Sequence, residues 1–310
     1  SFTIGPVEKL VIRGDPGFRL KGEVRVSGAK NAVLPAIAAS LLTEETVKLS
    51  NVPRVRDVET ILTLVAELGG YYDASGDTVS LRVPKIRSDE ASYELVRAMR
   101  ASILVLGPLV ARFGKAVVAL PGGCAIGPRP VNLHIAGLQK LGAAISLEHG
   151  YIRAEADRLH GAEIEFEKKT VTGTENLLMA AALAKGETVL KNCAREPEVA
   201  DLAALLNKMG AKIDWLDEDT ARVRGVKELG GAAHAIIPDR IETGTFLTAG
   251  ALTAGDLVVR GVVPGHVESV IDRLRASGTA IEPVGENALR VVGPGEIKPQ
   301  DITTLSLIHI

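Results

Sequence analysis

The chain has 310 residues, 46% of them hydrophobic, with 36 Lys and Arg against 38 Asp and Glu. That length and apolar content exclude a disordered or fibrous chain and allow two domains, while the near-neutral balance excludes a broadly basic nucleic-acid binder, so any anion site has to be local. Two cysteines exclude a disulfide framework, the apolar runs 32–42 and 103–110 are too short to span a bilayer, and no charged-apolar-small leader opens the chain; a cytoplasmic protein with no membrane or nucleic-acid partner is expected.

In chain order, a short strand over 24–26 runs into Gly28-Ala29-Lys30-Asn31, which opens an apolar helix. The free N–H groups and dipole of a helix start favour an anion and Lys30 adds a full charge, so this junction reads either as a phosphate site or as solvated surface. A strand through Val47, an amphipathic helix over 58–68 stopped by Gly69, and a strand pair turning at Ser75-Gly76-Asp77 follow. The layout then returns three times. Helices over 131–141, 199–209 and 267–277 stop at Gly142, Gly210 and Gly278, so the stopping glycines lie 73, 68 and 68 residues apart. Strands through Val117, Val189 and Val258 precede these helices, and strand pairs turn at Glu148-His149-Gly150, Asp217-Glu218-Asp219 and Val284-Gly285-Glu286. Each segment is a βαβαββ unit, and the expected class is α/β (α+β), with glycine in a left-handed cap after each second helix. Aromatic residues are only 3% of the chain, so Ala, Val, Leu and Ile are expected to fill the cores.

The second unit is the longest between its strand and its stopping glycine, and the extra residues fall in Pro121-Gly122-Gly123-Cys124-Ala125-Ile126-Gly127-Pro128-Arg129-Pro130. Glycines let a ligand approach the backbone, and Arg129 can bind phosphate bidentately while favouring the thiolate of Cys124. Cys193 holds nearly the same place in the third unit without the glycines and is expected to be an inert core residue. Arg97 and Arg100 precede or begin the apolar helix of the second unit, where a cation has to be answered by a ligand anion or by a carboxylate such as Glu90 or Glu94. Thr170-Val171-Thr172-Gly173-Thr174-Glu175-Asn176 opens the third unit's helix with hydroxyls and amides that either meet a polar ligand or cap the helix. Asp239-Arg240-Ile241-Glu242-Thr243-Gly244-Thr245 takes the same part in the fourth. No metal-ligand spacing, Walker loop or dinucleotide fingerprint is present, so no metal or cofactor is expected.

Gly28-Ala29-Lys30-Asn31, Met99-Arg100-Ala101-Ser102, Leu120-Pro121-Gly122-Gly123-Cys124 with Arg129-Pro130-Val131, Ala194-Arg195-Glu196-Pro197-Glu198 and Pro238-Asp239-Arg240-Ile241-Glu242-Thr243-Gly244 together resemble the UDP-N-acetylglucosamine 1-carboxyvinyltransferase family. The related enzymes acting on shikimate 3-phosphate share the repeat, but the cysteine loop favours the amino-sugar family. The resemblance implies transfer of the enolpyruvyl group of phosphoenolpyruvate to the 3-hydroxyl of UDP-N-acetylglucosamine, releasing phosphate, in the first committed step of peptidoglycan synthesis. It implies two similar domains of three units each, one over 30–237 and the other combining 1–29 with 238–310, and pairing of the segment 10–14 into the second domain's sheet. Cys124 would be the general acid and also able to form a covalent adduct. Lys30, Asn31 and Arg129 would hold phosphoenolpyruvate. Arg100, Arg129, Pro130, Val131, Asn132, Leu133, Lys169, Thr170, Val171 and Thr172 would hold the nucleotide sugar.

Two departures accompany the resemblance. Asn132 stands where the family often has aspartate. Four units are present instead of six, so the chain reads as C-terminally truncated, with the sugar's base and a further arginine expected beyond residue 310. On that reading these 310 residues bind nucleotide sugar or anion without turnover, with no obligate protein partner, and leave apolar helix faces uncovered in the partial domain.

Overall fold

The computed structural model describes residues 11, 15, 17–91, 99–120 and 131–302. Its first stretch comprises β1 (Lys21–Arg25), α1 (Lys30–Ala39), β2 (Val47–Ser50), α2 (Arg56–Leu68), β3 (Tyr71–Ser75) and β4 (Thr78–Arg82). The second has β5 (Glu90–Ala91), α3 (Leu106–Phe113), β6 (Lys115–Ala119), α4 (Asn132–Lys140), β7 (Ala144–Glu148) and β8 (Tyr151–Glu155). In the third stand β9 (Glu163–Glu165), α5 (Val171–Ala182), β10 (Glu187–Lys191), α6 (Pro197–Lys208), β11 (Lys212–Trp215) and β12 (Ala221–Arg224). The fourth repeats the order with β13 (Ala232–Ala235), α7 (Arg240–Leu252), β14 (Asp256–Arg260), α8 (Glu268–Ala276), β15 (Ala280–Pro283) and β16 (Ala288–Val292).

These strands form four-stranded sheets, each with one parallel pair and two antiparallel pairs. The second and third stretches use their own first strand, giving β5-β6-β8-β7 and β9-β10-β12-β11. The first and fourth exchange theirs. β1 pairs with β14, Lys21 opposite Asp256, while β13 pairs with β2, Ala232 opposite Val47. A βαβαββ unit read strictly in chain order is therefore corrected at these two places. The contacts divide the described residues into a smaller unit, up to Val26 with Glu242–Asp301, and a larger one within Ser27–Ile241.

In the larger unit, α1, apolar nearly all round, and α5, apolar from Leu177 on, lie inside: residues Ala32–Ala39 and Gly173–Ala182 are buried. α2 is amphipathic, burying Val58, Ile61, Leu62, Leu64, Val65 and Leu68 on one face as a surface helix should. The glycines expected to stop the second helices have φ of +116° (Gly69), +96° (Gly142), +104° (Gly210) and +97° (Gly278), the left-handed region that favours glycine. Small residues also set helix spacing. A Cβ on Gly137 of α4 would meet Leu177 Cδ1 of α5 at 2.2 Å, so glycine is what lets these helices approach. Arg112, at the end of α3, is nearly buried and donates from Nη1 to the carbonyls of Leu41, Thr43 and Val83, tying that helix to the segments after α1 and β4.

The smaller unit has a much smaller buried cluster, built on Val26, Leu247, Leu257, Val259, Ile271, Leu289 and Val291. Its α8 buries only Ile271. Leu252, Val284, Val292 and Ile297 are exposed. With fewer buried apolar contacts behind each backbone hydrogen bond, β14, β16 and α8 are expected to exchange amide hydrogens well before β2, β6 and α5. Hydrogen exchange followed by mass spectrometry reads this directly, and equal rates in the two units would contradict it. No helix among the described residues is long and apolar enough to cross a membrane.

Candidate functional site

Lys30 is the first residue of α1, and the chain before it is held by backbone pairing: Gly28 bridges Pro238, and Ala29 N–H donates to Ile237 O at 2.7 Å. The Lys30 N–H donates to Asp239 Oδ2 at 3.2 Å, which satisfies one of the free amides at the helix start. Its Nζ lies 3.1 Å from Asp57 Oδ2 in the first turn of α2, with both side chains partly exposed. Asn31 is half-buried beside it. The cation expected from the motif is thus already oriented by a carboxylate.

A second cluster forms where the starts of α4 and α5 meet. Val131 and Leu133 are half-buried and Asn132 is exposed, whereas His134 is buried. Thr170 is the helix cap, its Oγ1 accepting the Gly173 N–H at 3.2 Å, so capping is its structural role. Val171 and Thr172 follow as half-buried first-turn residues, and Thr172 Oγ1 faces His134 Nε2 at 3.3 Å. Lys169 is exposed and pairs with Asp219 at 3.0 Å. Behind His134 sits fully buried Asn176, whose Oδ1 accepts the Gly107 N–H at 2.7 Å and whose Nδ2 reaches Ile103 O at 3.0 Å and His134 Nδ1 at 2.9 Å.

Two buried carboxylates lie near the starts of α5 and α6. Glu198 Oε1 accepts from Arg240 Nε at 2.9 Å, while Glu198 Oε2 and Glu175 Oε1 have no hydrogen-bond partner among the described residues. Burial, then the charges of Glu198 and Glu196, hold the Glu175 carboxyl well above the usual carboxylate range. Cys193 is fully buried, its Sγ donating to Leu190 O at 3.4 Å, and burial pushes its thiol up to about 11. It is the inert core residue expected.

A family model described as EPSP synthase (3-phosphoshikimate 1-carboxyvinyltransferase) matches residues 15–309. UDP-N-acetylglucosamine 1-carboxyvinyltransferases of Solibacter usitatus and Koribacter versatilis are 56% and 57% identical to the chain, over 96% of its length and 71% and 69% of theirs. The chain belongs to the UDP-N-acetylglucosamine 1-carboxyvinyltransferase family. Among solved structures, the enolpyruvyl transferase NikO from Streptomyces tendae matches with a TM-score of 0.78 at 22% identity, over 90% of this chain and 67% of that one. EPSP synthase from Acinetobacter baumannii matches at 0.70 and 17%, over 89% and 65%. These two likenesses are of fold, and the fold is that of the enolpyruvyl transferases.

As a member of the UDP-N-acetylglucosamine 1-carboxyvinyltransferase family, whose enzymes serve peptidoglycan synthesis, the chain presents its expected site residues in two groups. Lys30 and Asn31 share the start of α1; Val131, Asn132 and Leu133 stand at the start of α4 and Lys169, Thr170, Val171 and Thr172 at the start of α5, the two starts being joined through His134 and Thr172. Arg100 begins a 3-10 segment, Arg100–Val105. Cys124, Arg129 and Pro130, with Arg97 and nearly all of the segment 10–14, lie outside the described residues. Sequence reasoning missed Asp57 and His134, and named Asn176 only as part of the segment that opens the third unit's helix. Asp57 reads as an ordinary acidic residue in a helix first turn, and nothing in the sequence couples it to a lysine 27 positions earlier. His134 had a weak signal, a polar residue on the apolar face of an otherwise regular helix.

Burial lowers the His134 pKa to about 4, so between roughly pH 4 and 6.5 the unfolded chain binds a proton that the folded chain refuses, and stability rises with pH. Glu175 acts in the opposite sense. Its raised value means the folded chain keeps a proton that the unfolded chain loses above about pH 4.5, so this term falls as pH rises. Glu175→Gln removes the falling term, and its melting temperature is expected to climb more steeply from pH 4.5 to 6.5 than that of the parent. Parallel melting profiles would show that Glu175 does not hold its proton in the folded state.

Proposed function

We propose that the protein transfers the enolpyruvyl group of phosphoenolpyruvate to the 3-hydroxyl of UDP-N-acetylglucosamine and releases phosphate. The observation that carries this is the identity of 56% and 57% to carboxyvinyltransferases of that specificity, spread over nearly the whole chain. Protonating the methylene carbon of phosphoenolpyruvate creates oxocarbenium character at its neighbour. An acid fixed near that carbon and cations on the departing phosphate are what such a barrier requires. Cys124 is assigned as that acid, with Lys30, Asn31 and Arg129 holding phosphoenolpyruvate. Arg100, Arg129 to Leu133 and Lys169 to Thr172 are assigned to the nucleotide sugar. The meeting of the α4 and α5 starts supports the last assignment, because a helix start favours an anion such as a diphosphate and Lys169, though paired with Asp219, stands just before that of α5. The division into domains over 30–237 and over 1–29 with 238–310 is proposed with it.

The test is phosphate release on mixing the two substrates with the 310-residue chain, alongside calorimetric titration with the nucleotide sugar. Release that needs both substrates supports transfer. Binding of nucleotide sugar without release assigns these residues as a binding module instead.

A further inference from the structure

We infer that His134 and Asn176 are positioning residues that present the Thr172 hydroxyl as a hydrogen-bond donor to an anionic phosphate oxygen of the nucleotide sugar. This rests on the reading of Thr172 as a nucleotide-sugar contact. The Asn176 amide has only one possible orientation, since Gly107 N–H requires its oxygen on one side and the Ile103 carbonyl requires its nitrogen on the other. Nδ2 is therefore a donor toward His134, and His134 Nδ1 has to accept. The ring proton is then on Nε2, and it points at Thr172 Oγ1. A hydroxyl has one hydrogen and two lone pairs, so accepting from the imidazole leaves the O–H to be donated elsewhere.

Thr172 is half-buried, in the first turn of α5, where anions are favoured by the helix start, and no described group takes its hydrogen. Asn176 and His134 are almost wholly inaccessible, so the polarity of the chain is set before a ligand arrives. A phosphate oxygen, which only accepts, matches that outward donor; an ammonium or amide N–H group does not.

Calorimetric titration of the 310-residue chain with UDP-N-acetylglucosamine tests the inference. Thr172→Val and His134→Phe are each expected to weaken binding about tenfold, as for a lost hydrogen bond to a charged group, and Thr172→Ser to restore it. The double variant is expected to bind no more weakly than Thr172→Val alone, because both changes remove one contact. Nitrogen NMR of the unsubstituted chain is expected to show His134 protonated on Nε2 and bare on Nδ1, a readout independent of whether His134→Phe folds. Additive losses, a protonated Nδ1, or full affinity in Thr172→Val overturns the inference while the functional reading stands. Failure of the unsubstituted chain to bind the nucleotide sugar overturns that reading and the inference with it.

Discussion

Replacing Cys124 by alanine is expected to lower phosphate release by about 10²–10⁴-fold, the contribution of a positioned general acid, while leaving the affinity for nucleotide sugar nearly unchanged. The chain contains an internal control for the chemistry. Cys193 is fully buried with its thiol raised to about 11, first through burial, so that near pH 7.5 only roughly one molecule in several thousand carries a thiolate there. Cys124 is set among glycines with a cationic Arg129 five residues on. The epoxide fosfomycin, an alkylating inhibitor of this family, is therefore expected to modify Cys124 and spare Cys193, and to do so faster when nucleotide sugar is present. Peptide mapping after labelling decides it. Equal modification of both thiols would defeat the idea of an activated cysteine, and unaltered turnover in Cys124→Ala would assign the proton transfer to another group.

Gly28→Ala is expected to be among the most damaging single-methyl additions the larger unit can receive. A Cβ at Gly28 would stand 1.7 Å from the Asn51 carbonyl oxygen and 2.9 Å from its carbon. That carbonyl has nowhere to go: Asn51 is itself in the left-handed region, φ +56°, and its Nδ2 donates to Ile236 O at 2.8 Å. Two backbones have to separate by more than an ångström beside the pairing of Ala29 with Ile237. The expected cost is about 3 kcal/mol or more, a fall of roughly 6–12 °C in melting temperature for a unit of this size. Displacement of Lys30, two residues on, should also weaken phosphoenolpyruvate binding. Gly265→Ala is the matched control, because nothing lies within 4 Å of a Cβ there, and it should melt within about 2 °C of the parent. A Gly28→Ala protein that melts with the control would show that the approach to Asn51 is not close in solution.

Gly28 also shows that a residue of a candidate ligand motif can be required by packing. In sequence, Gly28-Ala29-Lys30-Asn31 reads as an anion-binding helix start; in the structure its glycine is required by backbone contact with Asn51, and the lysine is held by Asp57 and Asp239. Thr170 divides the other way, with ligand contact and helix capping both open in sequence and capping seen in the structure.

The periodic features were legible from the chain alone. Stopping glycines at near-constant spacing, apolar positions three and four apart in α2 and α6, and alternating strands depend on neighbours within a few residues, so they are written locally. The cysteine loop stands out in sequence, because its composition departs from that of the matching segment in the third unit, but it lies outside the described residues. Local patterning could not decide which sheet each first strand joins; the tertiary structure did. β1 and β13 are short strands with no long buried face, and two similar sheet edges compete for them, so pairing depends on contacts more than 180 residues away. The relay from Gly107 through Asn176 and His134 to Thr172 is of the same kind. Gly107 and His134 look ordinary where they stand in the chain, and the meaning of the relay comes from hydrogen-bond partners that meet only when α4 and α5 close on Gly137.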